Sequence, residues 1–178
     1  MTDLIKSEKV ARVVETVAAI PRTLIHHVDV TTPSTQSLTA NTPEEITGLS
    51  VTLTPQSVNS KFFLSANWNG EGNHGNNYDT VFGFKRNSDY IGNPAAAGSR
   101  IVGRGVVSQG YFDVDANSTP DSWTGQYVDS PNTTDEITYK VFITSSDTTI
   151  LYNNRTVDDG DSAGNERLTS SLIIMEIA

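Results

Sequence analysis

From Glu45 onward the chain is a succession of short runs in which apolar and polar residues alternate, each cut off by Asn, Asp, Gly, Ser or Pro. Successive side chains of a strand point to opposite faces, so this pattern calls for half-buried strands and not helices. In the run from Glu136, Ile137, Tyr139, Val141 and Ile143 fall on one face, and Glu136, Thr138, Lys140 and Thr144 on the other, with Phe142 the apolar exception. Ile46, Leu49, Val51 and Leu53 lead through a turn region at 54–57 to Phe62, Leu64, Ala66 and Trp68. Further runs cover 78–85, 100–108, 122–129, 148–152 and 168–177. About eight strands with no helical pattern between them predict a mainly β domain, an antiparallel β-sandwich or jelly roll. The last run, Leu172 to Ile177, is largely apolar on both faces, which places it centrally in a sheet or between subunits.

The N-terminal part reads differently. Val10, Val13, Val17, Ile20 and Leu24 are spaced 3, 4, 3, 4, the seam of a coiled coil, and the first glycine is Gly48. Thr2 or Asp3 would cap a helix here and Pro21 would end or kink it. The expectation is a short N-terminal α-helix, docked on its own domain or a partner, or bundled with copies of itself. β-branched residues at both seam positions favour trimers in the last case. These five residues are therefore candidates for oligomer formation or attachment. The chain divides into a helical anchor at 1–30, a Thr/Ser/Pro-rich linker or edge segment at 31–44 with a weak strand around 36–40, and the β domain at 45–178.

Charge and cysteine content narrow the function classes. Twelve basic against 21 acidic residues give a net charge of −9, so the chain gains nothing from counterion release on nucleic acid, and anionic membranes are equally disfavoured partners. No window approaches the about 20 apolar residues of a membrane span, and the start lacks a secretory layout, which predicts a soluble protein made in the cytoplasm. With no cysteine, disulfides, thiolate zinc sites and cysteine nucleophiles are excluded.

Local motifs carry little chemistry. Gly70, Gly72 and Gly75 match the dinucleotide fingerprint, but another alternating run follows where a helix is needed, so the segment reads as a glycine-rich hairpin loop. The stretch from Asp158 to Glu166 concentrates oxygen ligands without the ordered positions of a calcium loop, and reads as a solvated connection. His26 and His27 would face opposite ways on a strand and cannot share a metal there; no metal or cofactor is expected. No nucleophile elbow is present, and nothing selects a catalytic pair among Asp79, Asp89, Asp113, Asp115 and Asp129, so the chain is read as a non-enzyme. Among the aromatics, Tyr78, Tyr90, Trp123 and Tyr127 are candidate glycan contacts, while Trp68 and Trp123, each in an alternating run, better suit a core or a subunit interface.

The segment Ile46-Thr-Gly-Leu-Ser-Val-Thr-Leu-Thr-Pro-Gln-Ser-Val-Asn-Ser-Lys-Phe-Phe-Leu64 resembles the opening of a β-sandwich domain of tail-fibre-like structural proteins from tailed bacteriophages, marine and cyanobacterial ones above all. Asp129 to Val141, Tyr152 to Arg155 and Leu172 to Ala178 resemble its continuation, so the resemblance covers about 45–178. It implies a jelly-roll-like domain, typically trimeric and displayed on the virion surface, made in a bacterial cytoplasm, with other virion proteins and a host surface glycan as partners. Tail fibres usually carry a long shaft before this domain, whereas here only a short helix and linker precede it. That favours a capsid decoration protein, a head fibre or a short tail appendage.

Overall fold

The alternation becomes ten strands among the residues that the computed structural model describes, 22–72, 79–107 and 117–178. They are β1 (Thr23–Val30), β2 (Ser34–Leu38), β3 (Glu44–Leu53), β4 (Lys61–Gly72), β5 (Thr80–Arg86), β6 (Asp89–Ile91), β7 (Asp121–Asp129), β8 (Ile137–Ser145), β9 (Thr149–Asn153) and β10 (Ser170–Ile177). All pairings between them are antiparallel.

The long strand β4 organises the larger sheet of six strands. One of its edges pairs with β7 from Phe62 to Gly70; the other is shared in tandem, β10 taking 61–67 and β9 taking 70–72. β1 extends the sheet beyond β10, and β2 beyond β9. Gly70 sits where β7, β4 and β9 meet, and a Cβ there would collide with the Tyr152 carbonyl and the Trp68 ring. The smaller sheet runs β3-β8-β5-β6. In β3 the register shifts between Glu45 and Ser50, a bulge that uses Gly48 at φ +85°, a conformation open to glycine at little cost.

The two sheets share one core. Phe62, Leu64, Trp68, Trp123, Leu172 and Ile174 of the larger sheet meet Leu49, Phe82, Phe84, Tyr139, Val141 and Ile143 of the smaller. Every ring pair that joins them crosses from one sheet to the other: Trp68 with Phe82 at 5.0 Å, Phe82 stacked on Trp123 at 5.2 Å, and Phe62 with Tyr139 at 5.6 Å between centroids. The architecture is therefore mainly β and sandwich-like. The buried Trp68 indole N–H is satisfied by the Asn153 side-chain oxygen Oδ1 at 2.8 Å.

Three expectations change. The α-helix expected at the N-terminus lies outside the described residues up to position 21, and from Thr23 the expectation of a helical anchor to residue 30 is overturned, because β1 is a strand. Pro21 ends a helical pattern, and Thr23, Ile25, Val28 and Val30 are β-branched, which suits a pleated surface. The β domain consequently begins near residue 23 rather than 45, with β1 and β2 built into its larger sheet. The run at 100–108 forms no strand over its described part. Its backbone bonds to β5 around Phe82, whose carbonyl accepts from the Arg104 N–H and which bridges to Gly105, and Gly103 lies tight against Val81 and the Phe82 carbonyl.

Candidate functional site

The register of the larger sheet fixes what its outer face shows. Ile25 of β1 stands opposite Met175 of β10, Met175 opposite Phe63 of β4, and Phe63 opposite Val128 of β7, one apolar row across four strands. Beside it run His27, Ile173, Ser65 and Gln126 in one row, and Thr23, Ile177 and Lys61 in another. Ile25 is 62% exposed and Val128 56%; Ile173 and Ile177 are exposed too, with Phe63 and Met175 half-buried. Apolar side chains scattered singly over a surface need no explanation, but a contiguous patch marks an interaction site. At one rim of the face Arg22 and Ala178 exchange backbone hydrogen bonds, Arg22 N–H to Ala178 O at 3.3 Å and Ala178 N–H to Arg22 O at 3.0 Å. Residues 1–21 therefore join the domain at the rim of this patch.

Of the residues marked for attachment, Val10, Val13, Val17 and Ile20 lie outside the described residues. Leu24 belongs to β1 on the inner side of the sheet, opposite Glu176, and is not continuous with a helical seam. Of the candidate glycan contacts, Tyr78 lies outside the described residues. Trp123 is withdrawn: its ring is 1% exposed, packed between Phe82 and Phe84, out of reach of any ligand. Tyr127 faces inward, packed against the core with the Arg104 guanidinium 4.9 Å over its ring. Tyr90 is 45% exposed, but Phe142 meets it edge-on and the Lys85 ammonium stands 5.2 Å from its centroid. Tyr90, Trp123 and Tyr127, the three among the described residues, do not form a shared exposed surface.

An open cavity of about 550 Å³ lies on the outer side of the smaller sheet, lined by Asn41, Pro43, Ser99, Arg100, Ile101 and Thr144 among others. The Thr144 hydroxyl is buried without a partner. Arg100 donates to the Ala97 carbonyl at 3.2 Å and has no carboxylate within ion-pair distance among the described residues.

Several charged groups elsewhere are held in ion pairs. Arg86 grips both oxygens of Asp129, at 3.0 and 2.8 Å, and the Tyr139 hydroxyl donates to the same carboxylate at 2.8 Å. Burial and that neighbouring carboxylate hold the Tyr139 phenol well above its ordinary pKa. In the acidic loop, Asp159 pairs with Arg167 and with Arg155, and its carboxyl is held low chiefly by the Arg167 hydrogen bond. Among the described residues no group of three or more His, Cys, Asp or Glu side chains is placed to hold a metal ion. His26 and His27 do fall on opposite faces of β1. No helix of the described residues is long and apolar enough to cross a membrane.

The outer row escaped the sequence reading. Its signal is the neighbouring apolar pair, Leu24-Ile25, Phe62-Phe63 and Tyr127-Val128, which puts one member of each pair on the wrong face of a half-buried strand. No protein-family model and no curated protein matches the chain.

Proposed function

We propose that this chain is a non-enzymatic structural protein of a tailed-bacteriophage virion. In this reading a jelly-roll-like domain is displayed at the particle surface as a homotrimer, a capsid decoration protein, head fibre or short tail appendage, and residues 1–21 attach it to capsid or tail proteins. The observation that carries the reading is the apolar row Ile25, Met175, Phe63 and Val128 on the outer sheet face, beside the point where residues 1–21 join. Such a surface is what subunit association removes from water. The resemblance of 45–178 to tail-fibre-like domains supplies the virion setting, and the net charge of −9 suits a surface-displayed, non-aggregating protein. Expression of the full chain and of 22–178 in cells assembling particles tests it. The full chain should copurify with particles, and 22–178 should fold yet stay free; normal incorporation of 22–178 would end the attachment reading.

A second reading, a glycan-binding tip that adsorbs to the host surface, draws on the exposed Tyr90 ring and on the cavity with the unpaired Thr144 hydroxyl and Arg100. Saturable binding to host polysaccharide that weakens in Arg100→Gln would support it, and a glycan array without signal would remove it.

A further inference from the structure

We infer that the cavity on the outer side of the smaller sheet takes a sugar that carries a carboxylate, a hexuronic acid unit of a glycan. This deepens the glycan-binding reading and rests on it. β8 and the chain from 98 to 105 build the cavity between them. On the outer face of β8, Thr144 stands opposite Val81 of β5; on its other side Glu44 stands opposite Ile143, and continuing that register puts Pro43 beside Thr144. The covering loop is tied to the same sheet. The Arg104 N–H donates to the Phe82 carbonyl at 2.6 Å, the Phe82 N–H donates to the Gly105 carbonyl at 2.8 Å, and Gly103 lies tight on Val81. The space left between sheet and loop, about 550 Å³, is therefore walled by backbone that pairing holds in place. Small-ligand sites range over about 300 to 1,000 Å³.

Three features of the lining select the ligand. Thr144 is 3% exposed, and its hydroxyl has no hydrogen-bond partner among the described residues. A buried hydroxyl left unpaired is costly, and the covering loop supplies no partner. One staggered step of χ1 exchanges its hydroxyl with its methyl, so the group can turn to a ligand with the backbone unmoved. Arg100 donates to the Ala97 carbonyl and is met by no carboxylate among the described residues, which leaves most of its guanidinium fork for a planar, bidentate acceptor. Pro43, Ile101 and Val102 add an apolar wall. A pyranose lays its C–H face on such a wall, turns a ring hydroxyl to Thr144 and presents a carboxylate at its edge to Arg100. Charge sets which anion is taken. The chain is net −9 and one guanidinium balances one charge, so a single carboxylate fits where a phosphate dianion is repelled.

An NMR titration of the isotope-labelled full chain tests this with methyl β-glucuronide against methyl β-glucoside, which differ only by a carboxylate in place of a hydroxymethyl group. The glucuronide should shift the amides of Arg100, Ile101 and Thr144 saturably, and the glucoside should bind at least about tenfold more weakly. Arg100→Gln should weaken the glucuronide by about the same factor and bring the two sugars to equal affinity. Thr144→Val should weaken it about fivefold while the thermal midpoint holds or rises, because a methyl replaces an unpaired buried hydroxyl. A midpoint that falls in Thr144→Val with binding unchanged would make that hydroxyl structural and overturn the site. Equal binding of the glucoside to the unaltered chain would overturn the inference and leave the glycan-binding reading standing. Inorganic phosphate bound as tightly as the glucuronide would overturn it too, as would a glucuronide that shifts none of these amides. Glucuronide bound at Arg100 by a protein that adsorbs to no host polysaccharide would sink the host-surface reading alone.

Discussion

The Tyr139 hydroxyl donates to the Asp129 carboxylate at 2.8 Å, and the two residues belong to different sheets, β8 of the smaller and β7 of the larger. Arg86 of β5 completes the clip from the smaller sheet. The Asp129 side chain is 7% exposed, so its charge depends on these two partners for the hydrogen bonds that water would otherwise supply. Removing it in Asp129→Ala leaves a guanidinium and a buried phenol unpaired, and should cost about 3 kcal/mol in urea unfolding. Tyr139→Phe, which loses one hydrogen bond and leaves the Arg86 pair, should cost about 1 to 2 kcal/mol.

The same phenol gives a pH dependence. Its pKa is raised above 10.0, first by burial and then by Asp129. A raised folded-state pKa means that the stabilisation is complete below the unfolded value and is lost as pH climbs above it toward the folded one. Stability should therefore fall as pH rises beyond about 10, and Tyr139→Phe should flatten that decline. Ultraviolet titration of the native protein should show one of its six tyrosines resisting ionisation until unfolding; six tyrosines titrating together would contradict the placement of Tyr139.

Glu45 relieves a like-charge pair. Lys85 and Lys140 stand directly opposite each other on β5 and β8, and Glu45 reaches both, at 2.9 and 2.8 Å. Its carboxyl is held below the usual range, mainly by the hydrogen bond from Lys140 and then that from Lys85. Because the folded pKa is depressed, this contribution is present above the ordinary value of 4.5 and is lost as pH falls through the folded one. The site is half open to water, so Glu45→Gln should cost about 0.5 to 1 kcal/mol at pH 7 and almost nothing in strong acid. A second change, Lys85→Gln, should recover part of the loss by removing the repulsion; a purely additive double variant would argue against it.

The fold was legible in the sequence wherever one face of a strand is wet. β8 alternates from Ile137 to Val141, and β3, β4 and β7 announce themselves the same way. β1 was hidden because Leu24 extends the 3, 4 spacing of the preceding stripe, and only Pro21 marks the change of period. Pairing with β10 decides the matter, and pairing partners are not visible in a local window. The outer apolar row was hidden for a similar reason. Ile25, Phe63, Val128 and Met175 are far apart in sequence, and register alone aligns them. For Trp123 the alternating run favours a core or subunit interface over a glycan contact, and the structure places it in the core, where its partners Phe82 and Phe84 come from the opposite sheet.

Calcium should leave the protein unchanged. Asp158 to Glu166 looks like a source of oxygen ligands, yet the Asp159 charge is met by Arg155 and Arg167, and Asp158 Oδ1 accepts the Gly160 N–H at 3.3 Å. A cation would have to displace two guanidinium groups and reorganise the turn. The thermal midpoint should match in calcium and in chelator; a calcium-dependent rise of several degrees would show that the loop rearranges into a site.

Gly70 is the position where the larger sheet has no room. It pairs Asp121 of β7 on one edge of β4 and Asn153 of β9 on the other, at the level of the Trp68 ring. An added Cβ would meet the Tyr152 carbonyl, which belongs to a backbone fixed by its own pairing with Thr35 and Glu71, so relief has to come from shifting a strand. Gly70→Ala should destabilise the domain by about 3 kcal/mol, at the upper end for overpacking. Gly98→Ala provides the contrast. A Cβ there meets nothing within 4 Å, although its φ of +65° still disfavours a side chain, so the loss should be about 1 kcal/mol. Equal losses at the two positions in chemical denaturation would show that β4, β7 and β9 do not converge on Gly70.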